Sequence, residues 1–379
     1  MPGVTATDEN FLRRAVALAR EGIGLTSPNP CVGAVIVTQN GEVAGEGSHT
    51  WDGVKHAEVL AIEQAGERAR GATLYINLEP CSHHGRTGPC TEAVIAAGIK
   101  RAVISMADPN PVNAGRGFDL LRAAGLQVDV GGLADEARHL NEAFAKYIRT
   151  RTPLVTLKSA MTLDGKIAAP QTKREGTSAS YITGDQARAH VQQLRHASDA
   201  ILVGIGTALA DDPLLTDRSG LPRRRPLLRV ILDSRLNIPL GSKLVSSVHD
   251  DLLVLFSEAN PDAQENLRAR GVRLQQVSRG PNGRTDLQAA MRFLGEQQIA
   301  SVLIEGGAAV NAAALAAGIV DKIFFYYTPR ILGGRESIPF AAGDGFPSMS
   351  SAPHVQQLRI HQFGEDFAVE GYLRDPYAD

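Results

Sequence analysis

The feature that most constrains the fold is an alternation of short apolar segments with amphipathic segments, which runs along almost the whole chain. Val32 to Thr38 and Thr73 to Leu78 have the composition of strands. Asp8 to Arg20 and His56 to Arg68 carry apolar residues at helical spacing, with Asp8 as a candidate N-cap. Such alternation predicts an α/β protein whose sheets are covered by helices.

A second series of the same kind begins after residue 150. A helix is predicted from Asp135 to Tyr147, and the basic segment that follows ends at Pro153. A chain of 379 residues exceeds one typical domain, which has about 150 residues. We therefore predict two α/β domains, residues 1–150 and residues 151–379.

Charge and composition exclude several classes of protein. The 39 Lys and Arg against 41 Asp and Glu leave no basic surplus, so we expect no nucleic-acid partner. The apolar runs are far shorter than the roughly 18 residues of a membrane span, and residues 1–10 lack the pattern of a secretory signal. Three cysteines cannot form a disulfide framework. These features predict a cytoplasmic protein with no membrane partner.

The most informative motif is His56-Ala57-Glu58, followed by Cys81 and Cys90. Zinc prefers imidazole nitrogen and thiolate sulfur, and a catalytic zinc site keeps three protein ligands. His56 begins a predicted helix and Cys90 leads into another, and helix N-termini stabilise thiolates. Glu58 lies two residues from His56 and is close enough to exchange protons at the metal. We therefore predict a zinc site of His56, Cys81 and Cys90, with Glu58 as the catalytic residue.

Two alternatives remain open for these residues. His83 or His84 could supply a fourth ligand, which would make the zinc site structural and the protein a structural or regulatory one. The cysteines could also be unrelated core residues, since free cysteine is often buried. For Cys31, which has no such context, a core position is the expectation.

Eight residues separate Cys81 from Cys90, where the general pattern of zinc-dependent base deaminases has two. This insert, Ser-His-His-Gly-Arg-Thr-Gly-Pro, resembles an element of the pyrimidine deaminase family of riboflavin biosynthesis, with Gly88 in place of the usual proline. The resemblance implies an N-terminal cytidine-deaminase-like zinc domain. Its implied reaction is hydrolytic deamination of 2,5-diamino-6-(5-phosphoribosylamino)pyrimidin-4(3H)-one, a small phosphorylated pyrimidine. The residues implied to bind that substrate are Asn29, His49, Asp108 and Asn110, although the last two also suit a simple turn.

The second domain has glycines at two strand-to-helix junctions, residues 203–207 and 304–308. Glycine at such a junction lets the backbone approach a phosphate, and the helix N-terminus favours its negative charge. Neither junction matches Gly-x-Gly-x-x-Gly with an acidic residue about 20 positions later, so a Rossmann site is not supported. Close packing of helix on strand is the alternative reason for these glycines.

Residues 158–166, Lys-Ser-Ala-Met-Thr-Leu-Asp-Gly-Lys, resemble the opening of the reductase family of the same pathway, which is related to dihydrofolate reductase. The resemblance implies a dihydrofolate-reductase-like domain that uses NADPH to reduce the ribosyl side chain, giving 5-amino-6-(5-phospho-ribitylamino)uracil. The implied cofactor-binding residues are Ala160, Tyr181, Thr207, Asp211, Ser234 and Gly307. The implied substrate-binding residues are Ser180, Arg195, Leu215, Arg218 and Glu305.

Two departures from the family pattern affect the second domain. Tyr181 replaces a usual tryptophan, and Ala179 replaces a serine, so Ser178 or Ser180 would have to supply that hydroxyl. A deaminase with an inactive reductase half is therefore a further hypothesis. A nucleic-acid base deaminase with a second binding module is another, against which the charge balance argues. Since two-domain enzymes of this kind commonly associate, we expect a homo-oligomer.

Overall fold

The structure is a computed structural model in which residues 3–170, 181–280 and 283–378 are described. The chain separates into two compact units, each with its own sheet. The first contains the residues up to Thr150 with Pro222–Arg224, and the second contains Arg151–Leu221 and Arg225–Ala378. Within the described parts of the chain, no helix is both long and apolar enough to cross a membrane.

The first unit has a five-stranded mixed sheet with the strand order β2-β1-β3-β4-β5. Strand β1 is antiparallel to β2 and β3, whereas β3, β4 and β5 are parallel. The carboxyl ends of β3 and β4 therefore lie at one edge, where the loops that follow them meet. The strands are β1 Gly33–Val37, β2 Val43–Ser48, β3 Thr73–Ile76, β4 Arg101–Ile104 and β5 Gln127–Val130.

Six α-helices accompany this sheet. Helix α1 buries Leu12 and Ala15 against Val35 and Tyr75 of the sheet. The helices are α1 Ala6–Arg20, α2 Ala57–Ala65 with a 3₁₀ turn at Gly66–Ala69, α3 Cys90–Ala96, α4 Arg116–Ala123, α5 Ala134–Leu140 and α6 Glu142–Thr150.

The prediction of Asp8 as the N-cap of α1 is wrong by three residues. Thr5 is the N-cap, and Asp8 is the third helical residue of a capping box, in which each side chain accepts a hydrogen bond from the other's backbone N–H. The carboxylate of Asp8 also pairs with Arg101, at 2.7 and 3.0 Å. The charge of the buried Asp8 is therefore paired with a residue far along the chain, and the local sequence pattern does not reveal this pairing.

The single helix predicted from Asp135 to Tyr147 is also corrected, since the structure has two helices that break at Asn141. The buried Asn141 amide accepts a hydrogen bond from the Cys31 N–H at 2.8 Å and donates one to the Cys31 carbonyl at 3.1 Å. Cys31 itself is buried, as predicted. A tertiary contact with a segment 110 residues away thus interrupts a continuous helical pattern.

The second unit has a nine-stranded sheet with the order β11-β10-β9-β8-β12-β6-β13-β16-β15. Neighbouring strands from β11 to β13 are parallel, and β16 and β15 continue the sheet antiparallel. Strands β7 and β14 form a separate pair. The strands are β6 Leu154–Thr162, β7 Lys166–Ala168, β8 Ala200–Gly204, β9 Leu228–Leu232, β10 Leu252–Phe256, β11 Arg273–Gln276, β12 Ser301–Ile304, β13 Lys322–Thr328, β14 Ile338–Pro339, β15 Gln356–Phe363 and β16 Asp366–Tyr372.

Helices cover this sheet, and apolar clusters fill the space beneath them. One cluster includes Val230 and Leu294, and the other includes Ile231 and Leu244, so successive residues of β9 belong to different cores. The mixed α/β architecture of both units is the predicted fold class. The helices are α7 Asp185–Ala197, α8 Ile205–Asp211, α9 Lys243–Ser246, α10 Pro261–Ala269, α11 Leu287–Glu296 and α12 Ala308–Ala316.

Candidate active sites

Three predicted metal ligands converge in the first unit. The Nδ1 atom of His56 lies 3.1 Å from Sγ of Cys90 and 3.5 Å from Sγ of Cys81. All three ligand atoms lie within 4.8 Å of one another. Tetrahedral zinc with these ligands has nitrogen–sulfur and sulfur–sulfur edges of about 3.6–3.8 Å, from bond lengths near 2.0 and 2.3 Å. The donor set and its spacing therefore fit zinc.

Local structure positions each of these ligands. His56 is the N-cap residue of α2, Cys81 lies in the loop after β3, and Cys90 is the first residue of α3. The Cys90 N–H lies 3.3 Å from Sγ of Cys81 and donates to it. Hydrogen bonding from the Cys90 thiol lowers the pKa of the Cys81 thiol to about 4, with a further contribution from His56. Cys81 is therefore ready to act as a thiolate ligand.

The alternative of a four-ligand structural site finds no support in the geometry. His83 and His84 both belong to the described part of the chain, and neither joins the group of His56, Cys81 and Cys90. Three ligands leave one coordination position of a tetrahedral metal for water or substrate. This arrangement is typical of a catalytic zinc site.

Glu58 lies in the first turn of α2 and is only 3% exposed. Burial raises the pKa of its carboxyl to about 7, and the neighbouring Cys81 adds to this effect. A cation held by the adjacent ligands would lower that pKa, because it favours the carboxylate. Glu58 can therefore exchange a proton close to neutral pH without being one of the ligands.

Asn29 and His49 lie against each other beside the metal ligands. The rings of His49 and His56 are 5.1 Å apart, edge to face. Nδ1 of His49 is 3.0 Å from the Lys55 carbonyl, so this nitrogen carries the proton and donates. The opposite nitrogen, Nε2, then accepts from Nδ2 of Asn29 at 3.2 Å. This pairing leaves the side-chain oxygen of Asn29 and the second N–H of its Nδ2 available to bind a heterocycle.

Asp108 and Asn110 have a different setting, because their side-chain oxygens are engaged within their own loop. The buried Asp108 carboxylate accepts from the Asn110 N–H at 2.8 Å and from the Asn113 amide at 3.1 Å. The Asn110 side-chain oxygen accepts from the Val112 N–H at 3.1 Å. Burial raises the pKa of Asp108 to about 6. The turn interpretation therefore accounts for the contacts of both residues.

Glu79, which precedes Pro80-Cys81, organises this loop and was not assigned a role from the sequence. Its buried carboxylate accepts hydrogen bonds from the backbone N–H groups of Asp108, Gly115, Gly117 and Phe118. A Cβ atom on Gly117 would lie 2.4 Å from the Pro80 carbonyl oxygen, so only glycine allows this approach. Glu79 thus ties the segment that carries Cys81 to the N-terminus of α4. The position of Glu79 directly before Pro80-Cys81 could have marked it as functional from the sequence. Its hydrogen-bond partners are known only from the fold.

The second unit contains a cavity of about 1230 Å³. It lies at the carboxyl ends of parallel strands, where α/β proteins usually bind ligands. Among its lining residues are six of the predicted ones: Ala160, Thr207, Asp211, Ser234, Glu305 and Gly307.

The glycines at the two junctions of this cavity have two different roles. A Cβ atom on Gly204 or Gly306 would lie 2.6 or 2.7 Å from the side chain of Val310, so these two glycines permit helix α12 to pack closely. Gly206 has open space around the position of a Cβ, and Gly307 is the N-cap residue of α12. Close packing of helix α12 therefore explains Gly204 and Gly306. Gly206 and Gly307 instead border the open cavity.

A charged network reaches this cavity through Lys158 and Glu305, which both line it. Arg195 binds Glu305 with two hydrogen bonds, Nε to Oε1 at 2.7 Å and Nη2 to Oε2 at 3.1 Å. Lys158 donates to the same carboxylate at 3.4 Å. Burial opposes ionisation of Glu305, but the two cations outweigh it and hold its pKa at about 2. Lys158 was not assigned a role from the sequence. A lysine within the largely apolar strand β6 is unusual, and this could have indicated a functional role.

The remaining predicted substrate residues lie near the C-terminal half of α7. Leu215 is buried with φ of 55°, a strained value for a residue with a branched side chain. The guanidinium of Arg218 is exposed and has no recorded partner among the described residues, while its backbone N–H donates to Gln192. Arg195 also donates to the Thr216 carbonyl at 3.0 Å. Side chains of α7 thus hold the loop that carries Arg218.

One predicted cofactor residue, Tyr181, is not among the residues that line the cavity. Tyr181 is 65% exposed and stacks on the guanidinium of Arg188 at 4.6 Å. Ser180 lies outside the described residues, as do Ser178 and Ala179.

One further residue of the first unit was missed. Arg86, in the insert between Cys81 and Cys90, stacks on the ring of Trp51 at 4.5 Å and donates to the Trp51 carbonyl. Its charge contributes to lowering the pKa of His49, which burial lowers most. Arg86 is therefore a cation close to His49, and its position in the insert between the two cysteine ligands could have identified it from the sequence.

Two family comparisons match the two halves of the chain. Residues 5–106 match the cytidine and deoxycytidylate deaminase zinc-binding region, and residues 153–369 match the RibD C-terminal domain. The chain is also 42% identical over 374 residues to riboflavin biosynthesis protein RibD of Actinobacillus pleuropneumoniae, covering 98% of this chain and 97% of that protein. It is 39% identical over 373 residues to RibD of Escherichia coli, covering 96% and 98%.

Solved structures agree with these matches. Acinetobacter baumannii RibD has a TM-score of 0.82 at 36% identity, covering 97% of this chain and 98% of that one. The diaminohydroxyphosphoribosylaminopyrimidine deaminase/5-amino-6-(5-phosphoribosylamino)uracil reductase of Thermotoga maritima has a TM-score of 0.79 at 34% identity, with the same coverage. The comparisons confirm the predicted fold class, both activities, and zinc and NADPH as cofactors. The chain belongs to the RibD family of bifunctional deaminase–reductases of riboflavin biosynthesis.

Proposed function

We propose that His56, Cys81 and Cys90 hold the zinc of the deaminase and that Glu58 is its catalytic residue. The observation that carries this proposal is the convergence of three ligand atoms beside a buried carboxylate. When bound, zinc supplies a Lewis acid that makes water nucleophilic at neutral pH. Glu58 accepts a proton from the attacking water and delivers it to the ring nitrogen. Glu58 then takes the proton of the hydroxyl group added to the ring carbon and gives it to the amino group, so that the carbonyl forms and ammonia leaves.

Asn29 and His49 bind the pyrimidine in this proposal. The His49 ring is held by the Lys55 carbonyl, and its Nε2 orients the Asn29 amide toward the site. Asn29 then offers one donor and one acceptor to the polar edge of the ring. Arg86 supplies positive charge for the substrate phosphate, since its Nε and Nη2 atoms are not used in the bond to Trp51. Asp108 and Asn110 act through the shape of their loop rather than by direct contact.

For the reductase, we propose that NADPH occupies the cavity of the second unit, against Ala160, Thr207, Asp211, Ser234 and Gly307. NADPH supplies the hydride, so the chain's own residues position and polarise the sugar. Lys158 offers its ammonium to a ribose oxygen, and Glu305 holds Lys158 and Arg195 in place. Arg218 binds the phosphate, because its exposed guanidinium is uncommitted among the described residues. Leu215 shapes the loop before Arg218.

The same proposal assigns residues 1–150 to the deaminase domain and residues 151–379 to the reductase domain. We also propose that the protein is a cytoplasmic homo-oligomer and that it binds neither nucleic acid nor membrane. The net charge of -2 argues against a nucleic-acid partner.

The proposed association of subunits is supported by strand β15, an edge strand on which Leu358 and Ile360 are 60% and 76% exposed. An exposed apolar edge of this kind is a surface through which two sheets associate.

The test is an anaerobic assay of the zinc-loaded, full-length protein with the diaminopyrimidinone ribosyl phosphate, following ammonia and NADPH together. We expect ammonia release first and then NADPH oxidation that depends on it. Glu58→Gln should reduce ammonia release by at least about 100-fold, while the zinc content stays at the wild-type level. Retained turnover in this variant would exclude Glu58 as the proton carrier. Ammonia release without NADPH oxidation would favour an inactive reductase half.

A further inference from the structure

A buried histidine–aspartate pair, to which no role has yet been given, lies in the loop between α8 and β9. His196, in the last turn of α7, places its Nδ1 atom 3.0 Å from Oδ2 of Asp217, the residue before Arg218. The two side chains are only 6% and 7% exposed. Since a carboxylate only accepts hydrogen bonds, Nδ1 of His196 carries the proton and donates it. The pair therefore fixes the carboxylate of Asp217 to the end of the helix.

The other oxygen of the same carboxylate shapes the backbone around Arg218. Oδ1 of Asp217 accepts a hydrogen bond from the Ser219 N–H at 2.9 Å, which closes a turn with Arg218 as its middle residue. The Arg218 N–H donates to Oε1 of Gln192 at 2.9 Å. The backbone on both sides of Arg218 is thus held, while Arg218 itself stays exposed. These contacts set the point from which its guanidinium reaches a ligand.

One face of α7 makes the contacts to this loop. Gln192, Arg195 and His196 have the spacing i, i+3 and i+4, so their side chains lie on the same side of the helix. Arg195 donates to the Thr216 carbonyl at 3.0 Å and also binds Glu305, which lines the cavity. The loop that carries Arg218 is therefore tied to the helix whose side chains reach the cavity.

The carboxylate of Asp217 is close to the cations of the proposed substrate site. Burial lowers the pKa of Arg195, but the negative charges of Glu305 and Asp217 outweigh this effect and raise it. Without His196, the buried carboxylate of Asp217 would lose a donor that water cannot easily replace. A neighbouring guanidinium, that of Arg195 or Arg218, is the available substitute. Such a pairing would withdraw that cation from an anionic ligand.

We propose that His196 and Asp217 are positioning residues of the reductase, which hold Arg218 in place for the substrate phosphate and keep Asp217 from pairing with it. This inference rests on the proposed function, which assigns Arg218 to the phosphate. The pair lowers the KM for the phosphorylated substrate, because the loop is already ordered when the substrate binds. It leaves kcat unchanged, because the phosphate takes no part in hydride transfer.

The test measures steady-state NADPH oxidation by the full-length protein, with the deaminated substrate supplied directly so that the deaminase does not limit the rate. His196→Ala should raise the KM for this substrate by about 10-fold, a typical coupling within one hydrogen-bond network. Both kcat and the KM for NADPH should stay within about twofold of wild type. His196→Asn should restore most of the KM, because the amide nitrogen of asparagine is attached like Nδ1 of histidine and donates to the same oxygen. Gln193→Ala, at an exposed position of the same helix, is the matched control and should change nothing.

A double-mutant cycle with Arg218→Ala separates positioning from a general effect on stability. In the Arg218→Ala background, His196→Ala should raise the KM no further, because the group that the pair positions is absent. A residue that merely stabilised the fold would impair the enzyme equally in both backgrounds.

The outcomes separate the inference from the proposed function. If Arg218→Ala raises the KM and the two effects multiply in the double variant, the inference is wrong while Arg218 remains the phosphate ligand. An unchanged KM in His196→Ala would also overturn it, as would a parallel loss of kcat and of affinity for NADPH, which indicates general damage to the unit. If Arg218→Ala leaves the KM unchanged, the phosphate assignment fails and the inference fails with it. A KM effect that requires Arg218 and is reversed in His196→Asn supports the inference.

Discussion

Replacing Glu305 with glutamine should destabilise the reductase unit and should do so in a pH-dependent manner. The Glu305 carboxylate is 11% exposed and contacts two cations, Lys158 and Arg195. Since each pKa unit corresponds to about 1.4 kcal/mol, a pKa lowered from 4.5 to about 2 stabilises the fold by about 3 kcal/mol. Loss of one partner from a buried ion pair costs about 3–5 kcal/mol, which agrees with this value.

The direction of the pH effect follows from the lowered pKa. The stabilisation is complete above pH 4.5, where the unfolded carboxyl is ionised, and is lost as the pH falls toward 2. The difference in unfolding free energy between wild type and Glu305→Gln should therefore be about 3 kcal/mol at pH 7 and should shrink progressively below pH 4.5.

The measurement is hydrogen exchange followed by mass spectrometry, which reports on peptides of the second unit separately from the first. Peptides that span the end of β12 and the following Glu305, and peptides from α7, which contains Arg195, should lose protection in Glu305→Gln at pH 7. Glu365→Gln, on an exposed turn of the same unit, is the matched control and should match wild type. A difference below about 1 kcal/mol at pH 7, or one independent of pH between 7 and 3, would refute the electrostatic reasoning.

Two further predictions concern the substrate loop and the helix break. Arg218→Ala should raise the reductase KM for the phosphorylated substrate by about 10- to 100-fold with little change in kcat, measured by steady-state NADPH oxidation; a change confined to kcat would contradict a role in phosphate binding. Asn141→Leu should destabilise the first unit by about 2–3 kcal/mol, since it leaves the buried Cys31 N–H without its partner. Denaturation followed by fluorescence of Trp51, the single tryptophan of the chain, measures this loss, and an unchanged midpoint would contradict the assigned role of Asn141.

The sequence alone was sufficient to predict those parts of a site whose chemistry depends on residues close together in the chain. His56 and Glu58 are two positions apart at the start of one helix, and Cys81 and Cys90 bracket one short loop. Their residue types already indicate zinc and a proton carrier. The α/β class was predictable for a similar reason, because strand and helix periodicity are local properties.

Only the tertiary structure decided the contacts between distant segments. Glu305 meets Lys158 and Arg195 across 147 and 110 residues of chain, and no local pattern indicates which charges will pair. The break at Asn141 likewise depends on Cys31, whose backbone N–H and carbonyl are hydrogen-bonded to the side-chain amide of Asn141. The burial of Asp233 depends on how the turn after β9 closes on its carboxylate, which accepts hydrogen bonds from the N–H groups of Ile238 and Arg235. A sequence specifies which groups are available, and burial determines which of them must find a partner within the protein, because water can no longer supply one.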